Sequence, residues 1–208
     1  MVGYFLFQTK NCLSMIEMTS RQFEIIESAG KILTHSGLSG LTTKKLANEM
    51  GFSEAALYRH FKGKEDILVA MLSYLAQDME TRFRAIDSQL SGVALLRAIF
   101  DTQLDFFKAH PHFVVVVFAD SLMEESDRIN QHIHKIMQVK RKHLLPSIIQ
   151  AQETGFFTTV IDAEEIVHII MGSFRLRMYK WRLSNFQGDL RKIGNQQIET
   201  LIQILKTA

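Results

Sequence analysis

LTTKKLANEMGFSEAALYRHFKGKEDIL, running from Leu41 to Leu68, is the stretch whose reading decides the fold. It contains two short helical patterns separated by a glycine, followed by the start of a longer one. Thr42 and Thr43 precede the first pattern, where their side-chain oxygens can accept from helix-start N–H groups, and Gly51 marks its stop. Ser53 stands in the same way before EAALYRHF. Between Thr43 and Lys62, Ala47 lies mid-helix, Gly51 falls at the turn, and Leu46, Met50, Phe52 and Leu57 take the apolar positions. A small residue lets a second helix cross at close range, a glycine takes the turn backbone, and the apolar set locks the crossing angle. This is helix-turn-helix spacing, although a plain helical hairpin in a bundle satisfies the same pattern without binding anything.

Charge separates those two readings. The whole chain carries 24 Lys+Arg against 22 Asp+Glu, a net +2. Leu41 to Lys64 alone carries five cations, Lys44, Lys45, Arg59, Lys62 and Lys64, against Glu49 and Glu54, a local +3. The remainder is therefore slightly acidic, and a basic module on a near-neutral body is the pattern of a face that meets DNA.

Working outward, helices continue in both directions. With 208 residues, 47% hydrophobic and 22% charged, two prolines and eleven glycines, the chain reads as a helix-rich globular protein of one or two domains. Upstream, TSRQFEIIESAGKILTHSG opens with a Thr19-x-x-Gln22 capping box and repeats apolar character around 22/23, 26, 29/30 and 33 before Gly37. Downstream, KGKEDILVAMLSYLAQDMETRFRAI is a long helix with Glu65 and Asp66 in its first turn, where the helix dipole favours anions. Helical periodicity then predicts segments over 92–110, from Pro111 to Glu124, over 126–154, 163–184 and 189–206. FVVVVFA, Phe113 to Ala119, is the one strand-like string; its helical flanks make it a buried helix, and it is far short of the roughly 20 residues that span a bilayer. The fold class is all-α with about nine helices, divided into an N-terminal extension (1–18), a helix-turn-helix domain (19–66) and a helical body (67–208).

The N-terminal MVGYFLFQTKNCLSMIEMTSRQ lacks the basic and long apolar regions of a signal peptide. Met15 and Met18 both precede the first periodic segment, so the extension is expected to add little to the fold. Cys12 is the single cysteine, which excludes an intrachain disulfide and fits a reducing cytoplasm.

With its Tyr-x-His-Phe and the lysine after it, Leu41–Leu68 resembles the DNA-binding segment of the TetR family of bacterial transcriptional regulators, a likeness extending over residues 20–70. The resemblance implies a cytoplasmic, nucleoid-associated homodimer. Two helix-turn-helix heads would read a palindromic operator, and the bodies would pair through the last two helices and bind a small-molecule effector that releases a repressor. Thr43, at the start of the second helix, would offer its hydroxyl and N–H to a phosphate, and Lys44 resembles the family's basic position at the major-groove edge. Ser53, Glu54, Ala55 and Tyr58 would lie on the outward face of the third helix, with Leu57 and Phe61 inward. Tyr58 and His60 resemble the phosphate-clamping pair and Lys64 the backbone anchor, while Arg59 reaches either a phosphate or a guanine edge. Glu54 has two readings, a cytosine reader or a helix-start acid.

The body carries no motif of comparable force. Phe107, Phe118, Met171 and Phe174 are the candidate effector-lining residues among many Phe and Met, chosen for their central position; each also suits plain core. Leu190, Ile193, Ile198, Leu201 and Leu205 form an apolar stripe on the last helix, which by resemblance pairs with its symmetry mate or else packs inward. VKRKH, Val139 to His143, could attract an anion, but reads first as a solvated basic face. Among His110, His112, His132, His134 and His143, the 132/134 pair diverges by about 200° on a helix, so no metal site is expected. No glycine-rich phosphate loop, nucleophile elbow or zinc-binding helix motif is present, so neither an enzyme nor a cofactor is expected. The alternative function is a DNA-bound architectural or cell-division protein whose body recruits a protein partner, since SEAALYRHF is also similar to the motif of a nucleoid-occlusion member of the family.

Overall fold

The computed structural model describes residues 18–118 and 126–207. Cys12, the rest of the first 17 residues, and the ADSLMEE segment with Met123 lie outside them. The described residues form nine helices: α1 Ser20–Gly40, α2 Thr43–Glu49, α3 Glu54–Tyr58, α4 Lys64–Arg84, α5 Gly92–Ala109, α6 His112–Val117, α7 Asp127–Glu153, α8 Ala163–Leu183 and α9 Leu190–Leu205. An isolated bridge between Phe157 and Lys206 is the sole β-type pairing among them.

The helix ends follow local chemistry. Thr19 accepts from the Gln22 backbone N–H while the Gln22 side chain accepts from the Thr19 N–H, the reciprocal box that the sequence predicts. Ser126, Asp162 and Asp189 cap α7, α8 and α9 with their side-chain oxygens. The strand-like valines, Val114 to Val117, are all buried within α6. Pro146 lies inside α7 without ending it.

One apolar core runs through the molecule. In the head, Ile25, Ile26, Leu33, Leu46, Leu57 and Leu68 are all essentially inaccessible to water. In the body, α7 packs along α4 and α5, and α9 closes the far side of α5. Head and body meet where α6 lies against α1 and α4. At Gly30 of α1 a β-carbon would sit 2.6 Å from the imidazole of His112, so glycine alone admits α6 at this distance. A second link crosses from α4 to the start of α7: Arg128 pairs with Asp66, and the Ser126 hydroxyl donates to Glu65 at 2.8 Å.

The last helix follows the second of its two readings. Leu190, Ile198, Leu201 and Leu205 are buried inside their own chain against α5, and Ile193 is half-buried, so the stripe packs inward and closes the body. An amphipathic pattern states that a face needs covering and not which surface covers it. The apolar face left exposed belongs to α8: Ile169, Leu176, Tyr179 and Leu183 are 44%, 54%, 43% and 66% exposed.

A compact ionic cluster ties α4 to α7. The Glu80 carboxylate accepts from Arg84 at 2.6 Å, Lys142 at 2.6 Å and His143 at 3.0 Å. Burial pushes the carboxyl up, but the hydrogen bonds from Lys142, His143 and Arg84 outweigh it and hold Glu80 down at about 2. A carboxyl with a depressed folded pKa contributes stability that is present above its unfolded value and lost as the pH falls through the folded one. Glu80→Gln should therefore cost about 1 to 3 kcal/mol at pH 7, discounted for the exposure of Lys142 and Arg84. Denaturant unfolding of both proteins should show that deficit shrinking steadily between about pH 5 and pH 2.

Candidate nucleic-acid interface and body cavity

In the head, Thr42 caps α2 by accepting from the Lys45 N–H at 3.1 Å, and Ser53 caps α3 by accepting from the Ala56 N–H at 3.2 Å. Between them the chain turns through Gly51 at φ +67°, and the Phe52 N–H closes the turn onto the Ala47 carbonyl at 2.8 Å. Leu57, inaccessible on the inner face of α3, and Phe61 just beyond it fix how α3 is seated, as their expected inward orientation requires. The opposite face is then left to solvent: Ser53, Ala55, Tyr58 and Arg59 are exposed, together with Lys44 at the start of α2 and Lys62 beyond α3.

The other expected contact residues are partly committed to the protein. The Thr43 hydroxyl donates to Glu54 at 3.3 Å and lies 3.5 Å from the Tyr58 hydroxyl, so Thr43, Glu54 and Tyr58 form one small polar group where α2 crosses α3. Glu54 is half-buried in the first turn of α3, a position that suits the helix-start reading of this acid. His60 is half-buried and its carbonyl accepts from Gln22 of α1 at 3.5 Å. Lys64 is half-buried as the first residue of α4. Lys45, which belongs to the same basic segment, is turned back to donate to Ser36 at 2.8 Å. The net arrangement is a short helix seated by Leu57 and Phe61, with a hydroxyl, a phenol and cations exposed on and around its outer face.

The body contains a cavity of about 30 Å³ between α4, α5, α7 and α8. Phe83, Phe100, Met171 and Phe174 line it together with Gln103 and Lys140, and the surface they present to it is apolar. Of the four expected lining residues, Met171 and Phe174 reach the cavity. Phe107 and Phe118 stand behind it, with the Phe107 ring 6.1 Å from that of Phe174 and 6.1 Å from that of Phe118. The basic run Val139 to His143 is not a uniformly solvated face. Arg141 pairs with Glu164, Lys142 and His143 pair with Glu80, and the half-buried Lys140 lines the cavity with its apolar stem. A signal for that placement exists in the sequence: Ile136, Lys140, Leu144 and Ile148 recur every four residues, and the other three are buried.

His110 and His112 meet Glu27 of α1, a neighbour that the sequence does not place beside them. Their potential ligand atoms lie within 4.8 Å of one another, and His112 Nε2 is 3.6 Å from Glu27 Oε1 with neither atom hydrogen-bonded. Burial, and then the proximity of His110, push His112 down to about 4, which leaves its imidazole neutral at physiological pH. No helix among the described residues is long and apolar enough to cross a membrane.

Comparisons with known proteins agree with this geometry. The family model described as "Bacterial regulatory proteins, tetR family" matches residues 25–71, which span most of the head and the start of α4. The chain is 30% identical over 174 residues to a nucleoid occlusion factor SlmA of Photobacterium profundum, covering 81% of this chain and 87% of that one. It is 26% identical over 161 residues to the uncharacterized HTH-type transcriptional regulator YerO of Bacillus subtilis, covering 74% of this chain and 56% of that one. The chain thus spans little more than half the length of that relative. The fold is similar to that of the transcriptional regulator FadR from Bacillus subtilis in complex with stearoyl-CoA, with a TM-score of 0.74 at 19% identity over 86% of this chain and 97% of that one. The head with its exposed basic residues, the all-helical body and these likenesses converge: the chain belongs to the tetR family of bacterial regulatory proteins.

Proposed function

We propose that the chain is a repressor that binds a palindromic operator as a homodimer and is released when a small molecule enters the body. The observation that carries this reading is the exposed set Lys44, Ser53, Ala55, Tyr58 and Arg59 around a helix seated by Leu57. Residues 19–66 act as the reading head and 67–208 as the effector and dimerisation body, with α4 shared between them. Lys44 and Arg59 approach the groove, Tyr58, His60 and Lys64 hold the phosphate backbone, and Thr43 and Glu54 position α2 against α3. Phosphate contacts of this kind set register, and base-edge contacts set sequence preference.

The dimer uses the exposed apolar face of α8, where Ile169, Leu176, Tyr179 and Leu183 recur at helical spacing, and Ile204 of α9 is 69% exposed. A two-fold protein suits two half-sites separated by whole turns of DNA. The effector acts through the links from α6 to α1 and from α7 to α4, favouring a head spacing that no longer matches the operator, with a coupling of about 1 to 3 kcal/mol. FadR, which carries stearoyl-CoA in its solved complex, supports an effector in this body. A second reading rests on SlmA, a nucleoid occlusion factor that the chain covers to 87% of its length: a DNA-bound protein whose body recruits a partner.

Genome-wide mapping of bound DNA separates the two. A few palindromes at promoters fit the repressor, and many dispersed sites without promoter bias fit the partner-recruiting protein. On an operator selected in this way, Lys44→Ala and Arg59→Ala should each weaken binding by about 1 to 3 kcal/mol where the side chain reads a base, and by less, uniformly across sequences, where it meets a phosphate. Glu54→Ala should leave the selected binding-site sequence unchanged. Leu176→Glu, placing a charge on the exposed α8 face, should shift sedimentation from dimer to monomer and weaken operator binding without unfolding the head.

A further inference from the structure

Where α6 presses on α1, two buried polar atoms face each other without a hydrogen bond. His112, the first residue of α6, is 8% exposed, and its Nε2 is inaccessible to water and not hydrogen-bonded. Glu27 Oε1 of α1 lies 3.6 Å away and is equally inaccessible and unmatched. A buried imidazole nitrogen and a buried carboxylate oxygen are each costly to leave so, and a folded chain retains such groups where something else supplies the match. Close packing over Gly30 explains where the His112 ring sits and leaves its nitrogen unaccounted for.

A third donor stands beside them. Only Pro111 separates His110 from His112, and the bend from α5 to α6 at this His-Pro-His sequence brings both rings to Glu27. The His110 N–H donates to the Phe106 carbonyl at 2.9 Å and the His110 carbonyl accepts from the Phe113 N–H at 3.1 Å, so backbone bonds fix the bend. One ligand atom from each of Glu27, His110 and His112 lies within 4.8 Å of the other two. Around a tetrahedral zinc ion bonded at about 2.0 to 2.1 Å, donor atoms stand about 3.3 Å apart. The separation of Glu27 from His112 is already close to that, and a turn of the half-buried His110 ring closes the set. Two imidazoles and a carboxylate suit zinc, cobalt, nickel or copper, whereas magnesium and calcium take oxygen ligands. His132 and His134 diverge because they share one helix; this trio is drawn from α1, the end of α5 and the start of α6, where that limit does not apply.

We propose that Glu27, His110 and His112 form a site for one divalent cation of the zinc class, bonded to Glu27 Oε1, His112 Nε2 and a ring nitrogen of His110. Three protein ligands leave a fourth position open to water. The site goes beyond the repressor reading and does not require it. Its consequence follows from its place: the cation adds a coordinate tie where α1 of the head meets α6 of the body. The occupied chain then holds α1, and with it α2 and α3, in one orientation to the body. A cation that prefers one orientation of the head shifts the chain toward it, and operator affinity shifts with that preference.

Competition for zinc chloride between the metal-free full chain and a chromophoric chelator of known affinity tests the site. The native chain should take one zinc with a Kd below about 1 µM, and loading should raise its melting temperature. Glu27→Gln and His110→Ala, both at half-buried positions, should each weaken zinc binding at least about tenfold and lose that rise. Without metal, both variants should melt close to the native chain. Replacing the exposed His134 and His168 together by alanine should leave zinc binding unchanged, and magnesium should not compete. A native Kd weaker than about 1 µM, zinc binding that survives unchanged in either Glu27→Gln or His110→Ala, or binding lost with the exposed pair would each overturn the proposal. Operator binding with and without zinc on the same samples keeps the two readings apart. Intact operator binding with no zinc bound removes this inference alone, and zinc bound by a chain that binds no operator removes the repressor reading and keeps the site. Zinc bound with operator affinity unchanged supports the site and removes its consequence for DNA.

Discussion

The contact on which the remaining architecture depends is the close approach of α6 to α1 at Gly30. A seven-residue helix and its five-residue successor, α2 and α3, are too short to stand alone and can hold an exposed face only if larger elements clamp them. α1 and α4 are those elements, and α6 presses on both. Because His112 fills the space a side chain at Gly30 would occupy, α6 cannot shift along α1 without that ring moving first. The ring is also buried, neutral and next to Glu27 with no hydrogen bond between them, so the joint is held by fit and not by a strong polar tie. The pairing of Arg128 with Asp66 is different in kind, being exposed on the arginine side and ionic, and it anchors α7 to the first turn of α4. A steric contact and an ionic one thus join head and body at two separate places.

Much of the fold was legible because its signals are local. Thr19 with Gln22, Ser53, Asp162 and Gly51 each act on residues within a few positions, and each works in the structure as its chemistry requires. The buried helical state of the valines in α6 could be argued from their flanks. The exposed side of α3 was legible for a related reason: Leu57 sets which side is inward, and the exposed positions follow from helical geometry.

The body resisted the same treatment because its important relations are between distant segments. Nothing near Leu190 or Leu201 says that α5 will cover them, and nothing near Leu176 or Leu183 says that the apolar face of α8 will be left outside. Lys140 lies among basic residues and reads as surface until its fourfold spacing with Ile136, Leu144 and Ile148 is set against the burial of those three. Glu27 joins His110 and His112 only after α1 and α6 have packed. Phe107 and Phe118 were reasonable expectations for a central position, yet they support the cavity wall and Met171 and Phe174 form it.

α8 has two working sides separated by a fraction of a turn. Phe174 and Met171 border the cavity, while Ile169, two residues before Met171, and Leu176, two residues after Phe174, lie on the outer apolar face. A rigid helix cannot roll one side without rolling the other. In a protein whose copies associate through that outer face, occupancy of the cavity and self-association become thermodynamically linked, and each alters the other by the same factor. The apparent affinity for a ligand would then vary with the amount of protein in the cell, so that a sparse regulator and an abundant one built from this same chain would respond to different ligand concentrations.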